Sequence, residues 1–278
     1  MAVLLREVRR GPAEQSRHTP LYFVSASPSQ LREVIQRKML LDGLEFDGTI
    51  FKDWVGVLSS LRLRRFKEQL GFKVTAMLQL LLQLPPKVQV VLMGDDLETD
   101  ALAFSLLADA VSGRLDEQQI RRVLRDSNVA HDDAAGVCQL VRQHAGRGAR
   151  VRRALIRLER HTSPEDFLEF WPFAAVCRGA LQMSLGLWSQ GSLSAAAVAK
   201  VAADLVSRGV APARVDEDFV DCCRRGIIGD EDAGALRDEL ATRGLLELTG
   251  DLPTVDRAWA EAGAVGEGEP VTPRSYWE

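Results

Sequence analysis

A chain of 278 residues with 46% apolar and 27% charged content has the composition of a soluble globular protein, long enough for one good core with room for a second. Its formal charge of −4 gives no electrostatic reason to expect a nucleic-acid partner. The four scattered cysteines (Cys138, Cys177, Cys222, Cys223) form no C-x-x-C pair and have no His at zinc spacing, which predicts free thiols in a reducing compartment.

Val3, Leu4, Leu5 and Val8 at helical spacing predict a short amphipathic helix stopped by Gly11-Pro12. This start is unlike the charged flank and apolar core of a signal peptide. No uncharged run of about 20 apolar residues occurs, so the expectation is a cytoplasmic protein with nothing crossing a membrane. Leu21 to Val24 reads as a strand, and Ser25-Ala-Ser27-Pro28 reads as the start of a helix with Leu31, Val34, Ile35 and Met39 along one stripe. Ile50, Phe51 and Trp54 suggest a further short strand within 44–54, and residues 59–70 are basic and loosely patterned. An apolar helix over 72–84 is stopped by Pro85-Pro86.

The next stretch, V-Q-V-V-L-M-G-D-D-L-E-T-D (88–100), organises the first half of the chain. An apolar run bounded by Pro-Pro and Gly94 predicts a buried strand of a parallel sheet. Asp95, Asp96, Glu98 and Asp100 then fall where such a strand opens into a crevice, the usual ligand site of open α/β sheets. Carboxylates gathered there repel one another unless a cation is present, and Mg²⁺ suits hard oxygen ligands. The competing reading is a solvated turn in which Asp96 or Glu98 caps the helix predicted over 101–111. Residues 20–112 thus alternate strand and helix, the pattern of a parallel α/β sheet.

From about 114 the strand signals vanish, which predicts an all-α carboxyl-terminal region. Helices are expected over 116–125, 132–144, 195–208 and 231–243, with another starting at Ser163-Pro164-Glu165-Asp166. Phe170 to Trp188 reads as one buried core helix, and 262–278 as a frayed tail. Gly146-x-Gly148 follows no predicted strand and is no nucleotide loop; Asp230-Glu-Asp232 is the acidic first turn of a helix. Seven arginines between 142 and 160 form either a solvated, salt-bridged face or a surface for anionic lipid head groups.

Ser25 after one strand, Lys73 at the head of a helix, and Asp95 with Asp100 after another strand together resemble the second, third and fourth motifs of the haloacid dehalogenase superfamily of phosphotransferases. Y-F-V-S-A-S-P-S-Q-L (22–31), F-K-V-T-A-M-L-Q-L-L (72–81) and L-M-G-D-D-L-E-T-D-A-L (92–102) are most similar to its actin-patch-associated phosphatidate phosphatases. The resemblance covers about residues 3–112. It implies that Ser25 donates to a phosphoryl oxygen, that Lys73 offsets the charge of nucleophile and phosphate, and that Asp95 ligates Mg²⁺ with Asp100 as second ligand or orienter. Ala101-Leu102 stands where the family has Pro-Glu, and Asp96 where it has Ser. The partner so implied is a phosphorylated small molecule or lipid head group, with peripheral membrane contact.

The family's nucleophile, the first Asp of D-x-D-x-T on a strand ahead of the Ser motif, has no counterpart, since no Asp precedes Ser25. Glu45-Phe-Asp47-Gly-Thr49 imitates the motif but follows the Ser strand, a chance likeness. The expectation is therefore an incomplete haloacid dehalogenase-like, Rossmann-like sheet over 1–113, a helical region over 114–260 and a flexible tail over 261–278. A fragment of a longer Mg²⁺-dependent phosphatase and a nucleophile-free binding or scaffold protein are the two functional readings. The partner of the helical region is not legible.

Overall fold

The structure, a computed structural model, describes residues 1–12, 18–52, 69–97, 99–160 and 162–278. The expected basic stretch over 59–70 and the end of the strand near Trp54 fall largely or wholly outside the described residues. The fold is mixed α/β, with short parallel sheets among many helices. It divides into two compact units, each assembled from three stretches of chain.

The sheet unit comprises Tyr22–Ile35, Gly48–Val176 and Val265–Glu278. In it β1 (Tyr22–Pro28) lies parallel to β2 (Gly48–Lys52), with Val24 opposite Ile50 and Ser25 opposite Phe51. A second sheet has the order β3 (Gln89–Asp95), β4 (Arg150–Arg157), β5 (Ala174–Cys177). β3 and β4 are parallel, with Leu92 opposite Ala154 and Asp95 opposite Arg157. Among the described residues β1 and β3 are not paired with each other, and β3 is an edge strand. Burial follows from this. Ala154, Leu155 and Ile156 of the central strand are fully buried, whereas Val90 to Met93 of β3 are only half-buried.

Helix α1 (Ala2–Arg10) is the predicted first helix, and α2 (Arg32–Leu41) follows β1. The strand runs on through Ser25 to Pro28, so the expected helix start at Ser25 is displaced to Arg32. In the sheet unit α3 (Gln69–Gln83) packs against β1, and α4 (Asp100–Ser112) packs against α3, β3 and β4. Every residue of α4 from Asp100 to Val111 is buried, as expected of a helix that is apolar nearly all round. α5 (Glu117–Asp126) and α6 (His131–His144) complete the layer. α5 opens with a capping box in which Asp116 accepts the Gln119 N–H at 2.8 Å and Gln119 Oε1 accepts the Asp116 N–H at 2.9 Å.

Three expectations are corrected here. The region after 114 is not all-α, because β4 and β5 join the sheet begun by β3. The R-V-R-R-A-L-I-R sequence of β4 hides its period, since Arg153 is itself buried, its guanidinium 5.2 Å from the Trp171 ring. Phe170 to Trp188 is not one helix: Pro172 and Gly179 divide it into β5 and the later α7 (Ala180–Ser189). Finally, the division does not fall at 113, and 265–278 is no frayed end. The fully buried Asp109 of α4 accepts N–H groups of Val271 at 2.9 Å and Thr272 at 2.7 Å, and Trp277 Nε1 donates to Thr272 O at 2.8 Å.

The helical unit comprises Met1–Leu21, Gln36–Asp47 and Cys177–Ala264. α1 packs on α8 (Ala195–Ser207), which adjoins α7; α9 (Pro212–Arg224), α10 (Asp230–Thr242) and α11 (Arg257–Ala262) follow. Its buried polar centre is satisfied. Gln182 donates to Asp221 at 2.9 Å and accepts from the Arg178 N–H at 2.7 Å and from Arg225 at 3.0 Å. Asp47, from the D-x-D-like stretch, pairs with Arg9 at 2.7 Å and accepts the Leu21 N–H at 2.7 Å, a tie within the fold. All four cysteines are buried and none is in a disulfide among the described residues; burial pushes the Cys222 thiol well up. Among the described residues no helix is long and apolar enough to cross a membrane.

Candidate functional site

The carboxyl end of β3 delivers Asp95 and Asp96 to the turn that leads into α4, whose first residue is Asp100. α3 brings Lys73 to the same place. Its ammonium forms an ion pair and hydrogen bond with Asp100 Oδ1, both side chains being about nine-tenths buried. The second carboxylate oxygen of Asp100 accepts the Asp95 N–H at 3.1 Å. Asp95 in turn accepts the Leu97 N–H on Oδ1 at 3.0 Å, which fixes the turn and leaves Oδ2 without a partner among the described residues. The result is a relay from a buried cation to a half-exposed carboxylate.

Gly94 makes the relay possible. A Cβ there would stand 2.8 Å from both Cβ and Cγ of Asp100, closer than real Cβ atoms approach. Gly94→Ala is expected to force Asp100 off the strand and to cost about 1–3 kcal/mol in urea unfolding. Gly136→Ala serves as the control, because Gly136 lies inside α6 with nothing within 4 Å of the added methyl. That change is expected to be neutral or to stabilise by about 0.5–1 kcal/mol. Equal effects at the two glycines would show that Asp100 yields freely.

Asp96 does different work from its neighbours and from the helix cap expected of it. Its carboxylate accepts the Glu159 N–H at 2.7 Å, the Arg160 N–H at 3.3 Å and the Thr162 hydroxyl at 2.8 Å, fastening the chain that leaves β4. Burial pushes its carboxyl up, but those donors together outweigh burial and hold it below the usual carboxylate range. Nothing local in the sequence announces this, since its partners lie more than sixty positions downstream.

Of the four residues singled out from the sequence, Lys73, Asp95 and Asp100 are brought together. Ser25 lies in β1, against which α3 packs, and its Oγ accepts the Ser27 N–H at 3.2 Å. No hydrogen bond joins it to the other three. Asp95 offers one carboxylate oxygen without a partner among the described residues, while both oxygens of Asp100 are engaged. Among the described residues no cluster of three or more His, Cys, Asp or Glu is assembled for a metal. The arginines of 142–160 do not share one helical face. Arg142 pairs with Glu117 at 2.5 Å, Arg147 caps α3 by donating to Leu82 O and Leu84 O, and Arg157 meets Glu159 at 3.0 Å.

Comparison of the chain with protein-family models, with curated proteins and with solved structures finds no match in any of the three.

Proposed function

We propose that the sheet unit is the phosphoryl-binding part of a Mg²⁺-dependent phosphatase of the haloacid dehalogenase type, acting on phosphatidate or a related phosphomonoester. The observation that carries this reading is the Lys73–Asp100–Asp95 relay at the carboxyl end of a parallel strand. Phosphoryl transfer rests on positioning and on neutralising charge around the transferred group, and the relay supplies a fixed cation beside an open carboxylate oxygen. In this reading Lys73 offsets phosphate charge, and Ser25 donates its hydroxyl to a phosphoryl oxygen. Asp95 holds Mg²⁺ through Oδ2, and Asp100 orients both neighbours. The bound Mg²⁺ would supply further charge neutralisation at the phosphate oxygens.

The nucleophile is the part this sequence does not provide. No Asp precedes Ser25, and Asp47 is committed to Arg9 and the Leu21 N–H. The chain is therefore expected to bind phosphate and metal but to turn over little or no substrate, because no aspartyl intermediate can form.

Titration calorimetry with inorganic phosphate, with and without Mg²⁺, tests the reading. Binding is expected to need Mg²⁺ and to weaken by about tenfold or more in Asp95→Asn. Binding that ignores Mg²⁺ or Asp95→Asn, or no binding at all, would leave a scaffold protein as the better account.

A further inference from the structure

The amino ends of β3 and β4, at the other end of these strands from Asp95, carry charge of one sign. Residues 84–94 and 143–158 contain Lys and Arg but no Asp or Glu. The two loops that lead into the strands are tied together, the Lys87 N–H donating to Arg147 O at 2.8 Å and the Arg150 N–H to Val88 O at 2.9 Å. Two of the cations belong to the fold: Arg147 donates to Leu82 O and Leu84 O, and Arg153 is buried against Trp171. Lys87, Arg150 and Arg152 are exposed, and their side chains have no hydrogen-bond or ion-pair partner among the described residues.

The backbone departs from the ordinary to present them. Lys87 has φ +62°, a left-handed conformation that costs a lysine energy, and its side chain runs beside Gly148, where an added Cβ would stand 3.3 Å from Lys87 Cγ. On β4 the register slips by one residue: Val90 lies opposite Val151, but Val91 lies opposite Arg153. Arg152 is the extra residue of a bulge, and bulges re-aim side chains. As a result Val151 and Arg153 are buried while Arg150 and Arg152 are exposed two residues apart, about 6.6 Å along the strand. A strained lysine and a bulged arginine thus serve no contact within the fold, and such irregularities gather where a surface is used.

We propose that Lys87, Arg150 and Arg152 form a docking surface for an acidic, extended segment of a partner protein. Carboxylates on alternate residues of an extended segment recur at about 6.6 Å, the spacing of Arg150 and Arg152, and the arginine fork takes a carboxylate through two hydrogen bonds. A lipid surface fits less well, because it calls for a cluster of about 4–8 basic residues or for apolar side chains to insert. None of the exposed large apolar side chains falls in 84–94 or 143–158. Nor do these stretches hold a Phe, Tyr or Trp on which a nucleic-acid base could stack. The proposal is independent of the phosphatase reading, since the two sites share no residue.

Fluorescence anisotropy of the full chain with a labelled decapeptide of alternating Glu and Thr tests it, against a Gln–Thr decapeptide of the same length. At low salt the acidic peptide is expected to bind about tenfold more tightly than the neutral one, an advantage that high salt removes. Arg150→Gln with Arg152→Gln is expected to weaken it by about tenfold. Arg243→Gln with Arg257→Gln removes the same charge from surface ion pairs of the helical unit and should cost less than about twofold. Lys87→Asn, which keeps a residue tolerant of the left-handed backbone, should cost about threefold. The proposal is overturned if the acidic peptide does not bind, or if the two double variants weaken it equally. It is overturned equally if a thymidine oligonucleotide or phosphatidylserine vesicles bind more tightly through the same arginines, which would give the surface to nucleic acid or to lipid.

Discussion

Lys73→Met is expected to destabilise the protein by about 3–5 kcal/mol, the usual result of removing one partner from a buried ion pair. The pair itself is not the source of all that energy. Most of it is the penalty of leaving Asp100 charged and enclosed against Gly94, with only the Asp95 N–H for compensation. Asp100→Asn in the Lys73→Met background removes the stranded charge while keeping the shape. It is expected to recover a substantial part of the loss, so that the double-mutant cycle in urea shows strong coupling. A single-mutant cost below about 1 kcal/mol would mean that the pair is solvated like an ordinary surface bridge. The relay would then lose its claim to hold Asp95 in place.

Asp109→Ala is expected to have the second large effect, about 3 kcal/mol or more, because its carboxylate is fully buried and charge-assisted hydrogen bonds are the strong ones. Three donors depend on it: the N–H groups of Val271 and Thr272, and Arg114 Nη1 at 3.2 Å. Thr272 is itself 2% exposed, so its N–H has no easy recourse to water. The loss should also be local in character, freeing the carboxyl-terminal segment before the rest unfolds. Limited proteolysis should cut beyond Ala264 in the variant under conditions that leave the parent intact, and Trp277 fluorescence should shift toward that of a solvated indole. Protection of the segment in Asp109→Ala would show that the Phe170–Tyr276 ring contact and neighbouring packing hold it without the carboxylate.

The parts legible from the sequence were those whose signals are local. A run such as V-V-L-M closed by Gly94 and followed by acids carries a strand and a group of carboxylates within a dozen residues, and the structure brings Asp95 and Asp100 together at that strand end. Lys73 could be read as lying near that strand end because α3 feeds directly into β3, and its ammonium pairs with Asp100. β4 was not legible, since its arginines break the apolar run that marks a buried strand, and the stacking of Arg153 on Trp171 depends on a residue beyond the next turn. Asp96 looked like a cap because helix caps are local, whereas its real partners are remote. The docking of 265–278 did leave a trace. Asp109 is a lone acid inside the apolar helix A-L-A-F-S-L-L-A-D-A-V, and an enclosed carboxylate must have donors somewhere. Composition read the final segment as frayed because Gly, Pro and Glu carry no record of what another helix offers them.

Each unit is stitched from three stretches that alternate along the chain, and this has a consequence for how the protein is made. α1 leaves the ribosome before the helix it packs on, α8, which is translated on the order of 10 s or more later. Lys200, which meets the buried Glu7 at 3.1 Å, belongs to that late helix. Until it arrives, α1 exposes Leu4 and Val8, an apolar stripe that a holding chaperone would recognise. The same interleaving means that no single cut releases either unit whole. A nascent chain stalled after Ala149 would hold β3 without β4, presenting an apolar edge that the finished sheet covers on that side.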